Sequence, residues 1–556
     1  MKYYSEEAIN GELPTCSIYE YMYENNYAYP RDIAINYFGR KISYEELFAN
    51  IEKTAVAFQT IGVKEGEIVT VALPSIPEAL YVVYALNRVG AVANMIHLLA
   101  GKSEIIGYLN EVESKVAVIF DKTMDIIGKD IENTAVKHAI VVTAGSSLPL
   151  GTRQLYMLKN RLPALNGVYE RWEEFIKNGV NNNLKPCKKD CHTMAIISHT
   201  GGTTGEPKGV MCSDQNVNSL IYQLVCNFEY KRQLVCLVQL PPFINYSLID
   251  SMLAMLYIGF ELALIPEYLP QKFDKYIKKY HPYVISSIPA YWEAILKIPH
   301  IDSVDMSCLR YAYYGGEKMN EEQEREVSDL LLRCGAKGEL CKGLGSTEMM
   351  AAATQTYEDC NTGGSAGVPL VWVNCKIVEP ENINELTYNK VGEICFAGST
   401  LMMGYYNNQK ETDEIIENRE GDRWLHTGDL GYINEDGVVF VTGRIKRIIM
   451  TKGEDGQVTK MFPDRIEKAL YADTRVELCC VVGVHDDNRI NYPKAIVVLK
   501  IGCPKDEVTK QGIIKSCSGY LPEYMIPDEI EFRDELPRTA RGKVDYRALE
   551  MEFQSI

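Results

Sequence analysis

Short apolar runs rich in β-branched residues alternate with helical patterns through the first two-thirds of this chain. That alternation limits the fold more than any other feature. EIVTVAL (67–73), VAVIF (116–120) and HAIVV (138–142) have the length and composition of buried strands. SEIIGYLNEV (103–112) spaces its isoleucines, leucine and valine as one face of a helix. Strands and helices in alternation predict α/β layers around largely parallel sheets. Between residues 145 and 190 the pattern loosens, and SSLPLG, LPALNG and NGVNNNLKP predict surface loops. From residue 438 the texture changes again. VVFVTGRIKRIIM reads as a strand, a turn and a basic segment, followed by a smaller unit with VELCCVVGV and KAIVVLKI as its strands. No internal repeat or low-complexity tract is visible.

Composition narrows the function classes. The 556 residues are 46% hydrophobic and 24% charged, proportions that build a sizeable core. With 58 basic against 75 acidic residues the formal net charge is −17, which argues against a nucleic-acid or anionic-lipid partner. Sixteen cysteines are spread along the chain, many in apolar contexts such as GEICFAG and ELCCVVGV, and read as small core residues in a reducing compartment. CKKDCH (187–192) lacks a second ligand pair at metal-site spacing, so no metal is expected there. MKYYSEEAINGEL is polar and acidic, without the apolar stretch of a secretory leader. No run approaches the ~18 apolar residues of a membrane span. These features predict a cytoplasmic protein.

SHTGGTTGEPKGV (198–210) follows the apolar run MAII and concentrates glycine, threonine and one lysine. Glycines let backbone N–H groups approach an oxyanion closely, and the threonine hydroxyls and lysine ammonium add donors, so the stretch suits phosphate. It is not a Walker A loop, because Lys208 follows Pro207 and precedes Gly209 rather than a hydroxyl residue.

The stretch resembles the phosphate-binding signature of the AMP-forming adenylating enzymes, the superfamily of acyl- and aryl-CoA synthetases, peptide-synthetase adenylation domains and luciferases. Further segments resemble that family in order: YYGGEKM (313–319), GLGSTE (343–348), GEICFAGSTLMMGYYN (392–407), WLHTGDLGYINEDG (424–437), GRIK (443–446) and LPRTARGKVDYRAL (536–549). The resemblance is closest to an acyl-CoA synthetase. It implies a large N-terminal domain of layered sheets and helices (1–443) plus a small, mobile α+β C-terminal domain (444–556).

It also implies roles. Thr200, Gly201, Gly202, Thr203, Thr204, Gly205 and Lys208 would wrap the β- and γ-phosphates of ATP. Gly315, Gly316 and Glu317 would line the adenine, followed by Leu344, Gly345 and Ser346. Thr347 would bond the α-phosphate, and Glu348 would hold Mg²⁺, a hard ion that prefers oxygen ligands. Asp429 would accept from the ribose hydroxyls, with Arg444 nearby. Lys446 would be the hinge, and Lys543 would enter the site from the C-terminal domain. The chemistry implied is attack of a carboxylate on the α-phosphorus, loss of pyrophosphate, and displacement of AMP by a thiol.

The chain departs from the family pattern in three places. Leu344 stands where a tyrosine is usual, Ile244 of PPFINYS stands where acyl-CoA synthetases often carry histidine, and the segment from Gly453 to Pro463 is longer than usual. SSIPAYW (286–292), Tyr313-Tyr314 and MMAAAT (349–354) form the expected acid pocket and suit a hydrophobic or aryl acid. Asp250, on an expected helix, lies beyond the start of that pocket, which argues against an α-amino acid. CoA is the simplest acceptor, and a free-standing carrier protein is the alternative. A luciferase-like oxidation and a non-catalytic ATP- or adenylate-binding regulator also remain open.

Overall fold

The computed structural model describes the chain except residues 1, 161–164, 166, 180–181, 201–206, 453–457, 487, 539–543 and 555–556. The apolar runs form strands as expected: Ile68–Ala72, Val116–Phe120 and His138–Val142 pair in parallel, and Lys102–Glu111 is a helix. Every residue of VAVIF is buried, as a parallel strand covered on both faces requires. The helix Pro77–Val89 is apolar nearly all round and almost wholly buried. It opens with proline at its first position and stops at Gly90, whose φ of 82° is the left-handed cap geometry.

Two large sheets build the N-terminal domain. One has eight strands, parallel at its centre, with the hairpin Met194–His199 and Gly209–Ser213 toward one edge. The other has seven strands, in which Val284–Ser287, Tyr311–Tyr314 and Leu340–Lys342 run parallel and end side by side. A third, antiparallel sheet contains Gly392–Ala397, Asp422–Ile433 and Val439–Arg444. The small C-terminal domain follows. Val476–Asp486, Ile490–Leu499 and Glu529–Arg533 form its sheet, with a separate core that includes Met461, Ile466, Leu470, Val497 and Ile513. No helix among the described residues is long and apolar enough to cross a membrane.

Two expectations need correction. Residues 145–190 are not all loop: Leu150–Lys159 and Trp172–Asn178 are helices, and Tyr169–Arg171 adds an edge strand to His138–Val142. The prolines and glycines there bound elements instead of excluding them. Phe175 packs against Phe58, with Trp172 against Phe175 in turn, and the distant contact with Phe58 is one that local turn chemistry does not reveal. The basic segment that closes VVFVTGRIKRIIM also contributes a strand, since Ile449–Lys452 pairs antiparallel with Val458–Met461.

A buried polar lock ties the third sheet together. His426 donates through Nδ1 to Glu393 at 2.8 Å, Cys395 Sγ lies 3.5 Å from the same nitrogen, and the Gly428 amide donates to the other Glu393 oxygen at 2.9 Å. Cys395 and Glu393 together hold the His426 pKa up at about 10, against an ordinary value near 6.5. A histidine raised in this way contributes stability in full below its unfolded pKa and loses it as pH rises through about 10. The melting temperature is therefore expected to fall between pH 7 and pH 10. His426→Gln should flatten that fall in a thermal-unfolding series; an unchanged slope would show that the lock contributes nothing.

Candidate active site

Parallel strands deliver their loops at their carboxyl ends, where open α/β sheets form ligand crevices. Tyr311–Tyr314 runs directly into Gly315, Gly316 and Glu317, and Leu340–Lys342 runs into Gly343, Leu344 and Gly345. The Gly315 amide donates to the Ser287 carbonyl at 3.1 Å, which holds the first of these loops against the end of the neighbouring strand. Gly316 has a φ of 84°, a conformation that favours glycine. A Cβ at Gly345 would lie 1.8 Å from the Ala351 carbonyl oxygen, so this position admits no side chain without moving backbone.

That close approach shapes the next turn. Ser346 is the extended residue before a 3₁₀ turn, Thr347–Met349, which ends at Met350 with a φ of 64°. The Ala353 and Thr354 amides both donate to the Leu344 carbonyl, and the Leu344 amide donates to Thr354 Oγ1 at 2.9 Å. Leu344 packs against the main core, so the residue that replaces the family's tyrosine is an aliphatic wall.

The glycine stretch reaches the same place from the eight-stranded sheet. Met194–His199 ends in Thr200, whose amide donates to the Lys208 carbonyl and whose hydroxyl accepts from the Lys208 amide, both at 3.0 Å. Gly201, Gly202, Thr203, Thr204 and Gly205 lie outside the described residues. Lys208 pairs with Glu411 and lies 4.9 Å above the Tyr405 ring. Its donated hydrogen bond holds the Glu411 carboxyl below the usual carboxylate range. Tyr405 donates in turn to Glu348 at 2.7 Å, and the Met402 amide donates to the Glu348 carbonyl at 2.8 Å. Glu348 and Lys208 are thereby gathered around Tyr405, with Thr347 adjacent to Glu348 in the same turn. Neither Tyr405 nor Glu411 is singled out by the sequence alone. Tyr405 stands in the resembling segment GYYN, and that was the one available signal.

Asp429 and Arg444 face each other across paired strands and form an ion pair at 2.7 Å, with Asp429 buried and Arg444 exposed. Lys318, next to Glu317, donates to the Val441 carbonyl at 3.4 Å and brings the Gly315–Glu317 loop beside this sheet. Lys446 is exposed in the 3₁₀ turn Ile445–Arg447. Its neighbour Arg447 carries the structural role that the sequence did not disclose. Arg447 donates to both oxygens of Glu467, at 2.6 and 3.2 Å, and lies 3.6 Å from Asp464, so the turn is anchored in the C-terminal domain. Lys543 lies outside the described residues. The root of its segment is described: Arg538 bridges to Val544, and its charge reaches Glu293 and Tyr268 of the N-terminal domain.

Residues 22–406 match the family model described as AMP-binding enzyme, and residues 465–543 match its C-terminal domain. The chain belongs to the AMP-binding enzyme family. It is 26% identical over 558 residues to a long-chain-fatty-acid–CoA ligase of Bacillus subtilis, covering 97% of this chain and 94% of that one. It is 28% identical over 505 residues to a probable 4-coumarate–CoA ligase of Dictyostelium discoideum, covering 89% of this chain and 87% of the relative. Its fold resembles the ATP-bound crystal structure of MatB from Rhodopseudomonas palustris, with a TM-score of 0.84 at 22% identity over 97% of this chain and 99% of that one.

The tight turn offers a direct check. Gly345→Ala is expected to destabilise the protein by about 1–3 kcal/mol, the range for a forced backbone shift. It should also abolish the rise in melting temperature on adding ATP or AMP. Unchanged denaturant unfolding together with an unchanged nucleotide response would show that the Ala351 carbonyl is free to yield.

Proposed function

We infer that the protein activates a carboxylic acid with ATP to an acyl-adenylate, releases pyrophosphate, and transfers the acyl group to the thiol of CoA. The observation that carries this reading is the convergence of Lys208 and Glu348 on Tyr405, with Thr347 in the Glu348 turn, within a chain that matches both family domains. The acid we assign is hydrophobic or aryl, in keeping with the apolar residues of SSIPAYW and MMAAAT and with the fatty-acid and 4-coumarate ligases among the relatives. A stand-alone enzyme that loads a carrier protein is the second reading.

The chemistry requires positioning and charge neutralisation more than covalent help from the protein. A carboxylate oxygen attacks the α-phosphorus, and the bond to the pyrophosphate oxygen breaks. The CoA thiolate then attacks the acyl carbon, and AMP leaves. In this reading the segment from Thr200 to Lys208 holds the β- and γ-phosphates. Lys208 would exchange its pairing with Glu411 for ATP oxygens. Thr347 bonds the α-phosphate. The Gly315–Glu317 loop and Leu344–Ser346 line the adenine, and Asp429, with Arg444 beside it, accepts from the ribose. A single carboxylate with phosphate oxygens suits Mg²⁺, so Glu348, oriented by Tyr405, is the residue to hold it. Bound there, the ion would neutralise polyphosphate charge.

We place the domain boundary between residues 443 and 444 and the pivot at Lys446, since the anchored Arg447 moves with the C-terminal domain. The sixteen cysteines are free thiols, which supports a cytoplasmic location.

Two outcomes test this reading. Purified protein with Mg²⁺, ATP and an apolar acid should exchange labelled pyrophosphate into ATP, and Glu348→Gln should abolish the exchange. Formation of ADP and phosphate would rule the reaction out. Lys543→Ala should slow adenylation by about 10²–10³, the cost of one preorganised electrostatic donor. It should leave transfer from a presynthesised acyl-adenylate to CoA nearly intact, and equal slowing of both halves would give Lys543 another role.

A further inference from the structure

The segment Tyr246–Ala254 is a π-helix. Such segments are rare and occur disproportionately at functional sites. It carries Tyr246 and Asp250, four residues apart on one side of the helix. The Tyr246 ring lies where a Cβ on Gly315 would meet it at 3.5–3.8 Å, so this helix borders the Gly315 loop. The helix is also joined to the glycine stretch, because Ser198 donates to Asn245.

Asp250 is partly accessible although its neighbours Ile249 and Ser251 are buried. Its surroundings come from three strands and from its own helix: Cys236, Ser286, Tyr313 and Tyr246. Among the described residues no lysine or arginine acts on it. The Tyr246 and Ser286 hydroxyls are both buried without a well-formed hydrogen bond. A carboxyl, a phenol and a serine hydroxyl therefore converge among the segments that the sequence assigns to an apolar acid pocket. Burial pushes the Asp250 pKa up to about 7, and Ser286 draws it partly back.

We propose that Asp250 determines the acid specificity of this pocket and selects a carboxylic acid whose apolar body ends in a protonated amine. The proposal rests on the acid-activating function inferred above and narrows its substrate class. An apolar acid bound here would bury a carboxyl against hydrocarbon with its hydrogen bonds unmade, which is costly. A ligand ammonium brings three donors and one positive charge. Asp250, Ser286 and Tyr246 offer four acceptor oxygens, two of them on the carboxylate, and one negative charge. Tyr246 faces the Gly315 loop, which lines the adenine in the reading above, and Asp250 lies one turn further along the helix, so the amine it meets belongs at the end of the acid remote from the nucleotide.

The experiment pairs ω-amino acids with their ω-methyl isosteres, on phenyl and short alkyl bodies. It measures binding by calorimetry without ATP, and adenylation by pyrophosphate exchange. Wild type should bind the amino member of the best pair at least about tenfold more tightly, the scale of a hydrogen bond to a charged group. That preference should weaken as pH falls from 8 to 6 and Asp250 takes up a proton. Asp250→Asn should remove the preference, and Asp250→Leu should reverse it toward the methyl acid, with melting curves confirming that both variants fold. Amino acids that bind with the expected preference but support no exchange would overturn the acid-activating function and leave the subsite standing. Failure of every amino member to bind, tighter binding of the methyl member by wild type, or a preference that survives Asp250→Asn overturns the proposal.

Discussion

The hydroxyl of Tyr405 donates to the carboxylate of Glu348, and three segments far apart in sequence meet at that bond. Tyr405 pairs with Val210 in the hairpin that follows the glycine stretch, and its ring faces the Lys208 ammonium. The Thr347–Met349 turn arrives from the other large sheet, shaped by the close approach of Gly345 to the Ala351 carbonyl. Without the tyrosine, the Glu348 carboxylate would lose the donor that directs it, and the Met402 amide would hold the turn through its backbone alone. A charge-assisted hydrogen bond in a partly buried setting is directional enough to hold such a junction.

The second constraint lies where the domains join. Arg447 is a largely buried cation held by Glu467 and Asp464. Removing either partner would strand a charge, so the turn is committed to the C-terminal domain. Contacts across the domain junction are exposed pairs such as Lys468–Glu321 and Lys297–Glu477. Pairs of that kind contribute little each and are screened by salt. A firm anchor on one side and weak surface pairs on the other are what a reorienting domain needs.

The acid pocket proposed above has a different balance. Its assigned segments SSIPAYW and MMAAAT are largely apolar, and the π-helix beside them carries one carboxyl, Asp250. A polar group in such a place is costly unless a ligand satisfies it. Groups of that kind therefore say more about substrate than the hydrocarbon around them does.

Much of this protein was legible in its sequence. Runs such as VAVIF could bury only as parallel strands, and the glycine-threonine stretch, the S-T-E turn and the T-G-D block carry local chemistry that survives without knowledge of the fold. The helices within 145–190 were not legible, because Phe175 is held by a distant phenylalanine and the intervening prolines look like loop. Tyr405, Glu411 and Arg447 were not legible either, because an ion pair or hydrogen bond between residues 20 to 200 apart leaves no local pattern. Asp250 was visible as a residue but not as part of a pocket, since its helix shifts register and only packing against Ser286 and Tyr313 directs it inward. Sequence determined the buried parallel strands and which loops carry residues suited to phosphate, because those depend on neighbours along the chain. Tertiary structure decided which side chains orient the candidate catalytic groups and what the acid pocket will accept, because those depend on contacts that only folding creates.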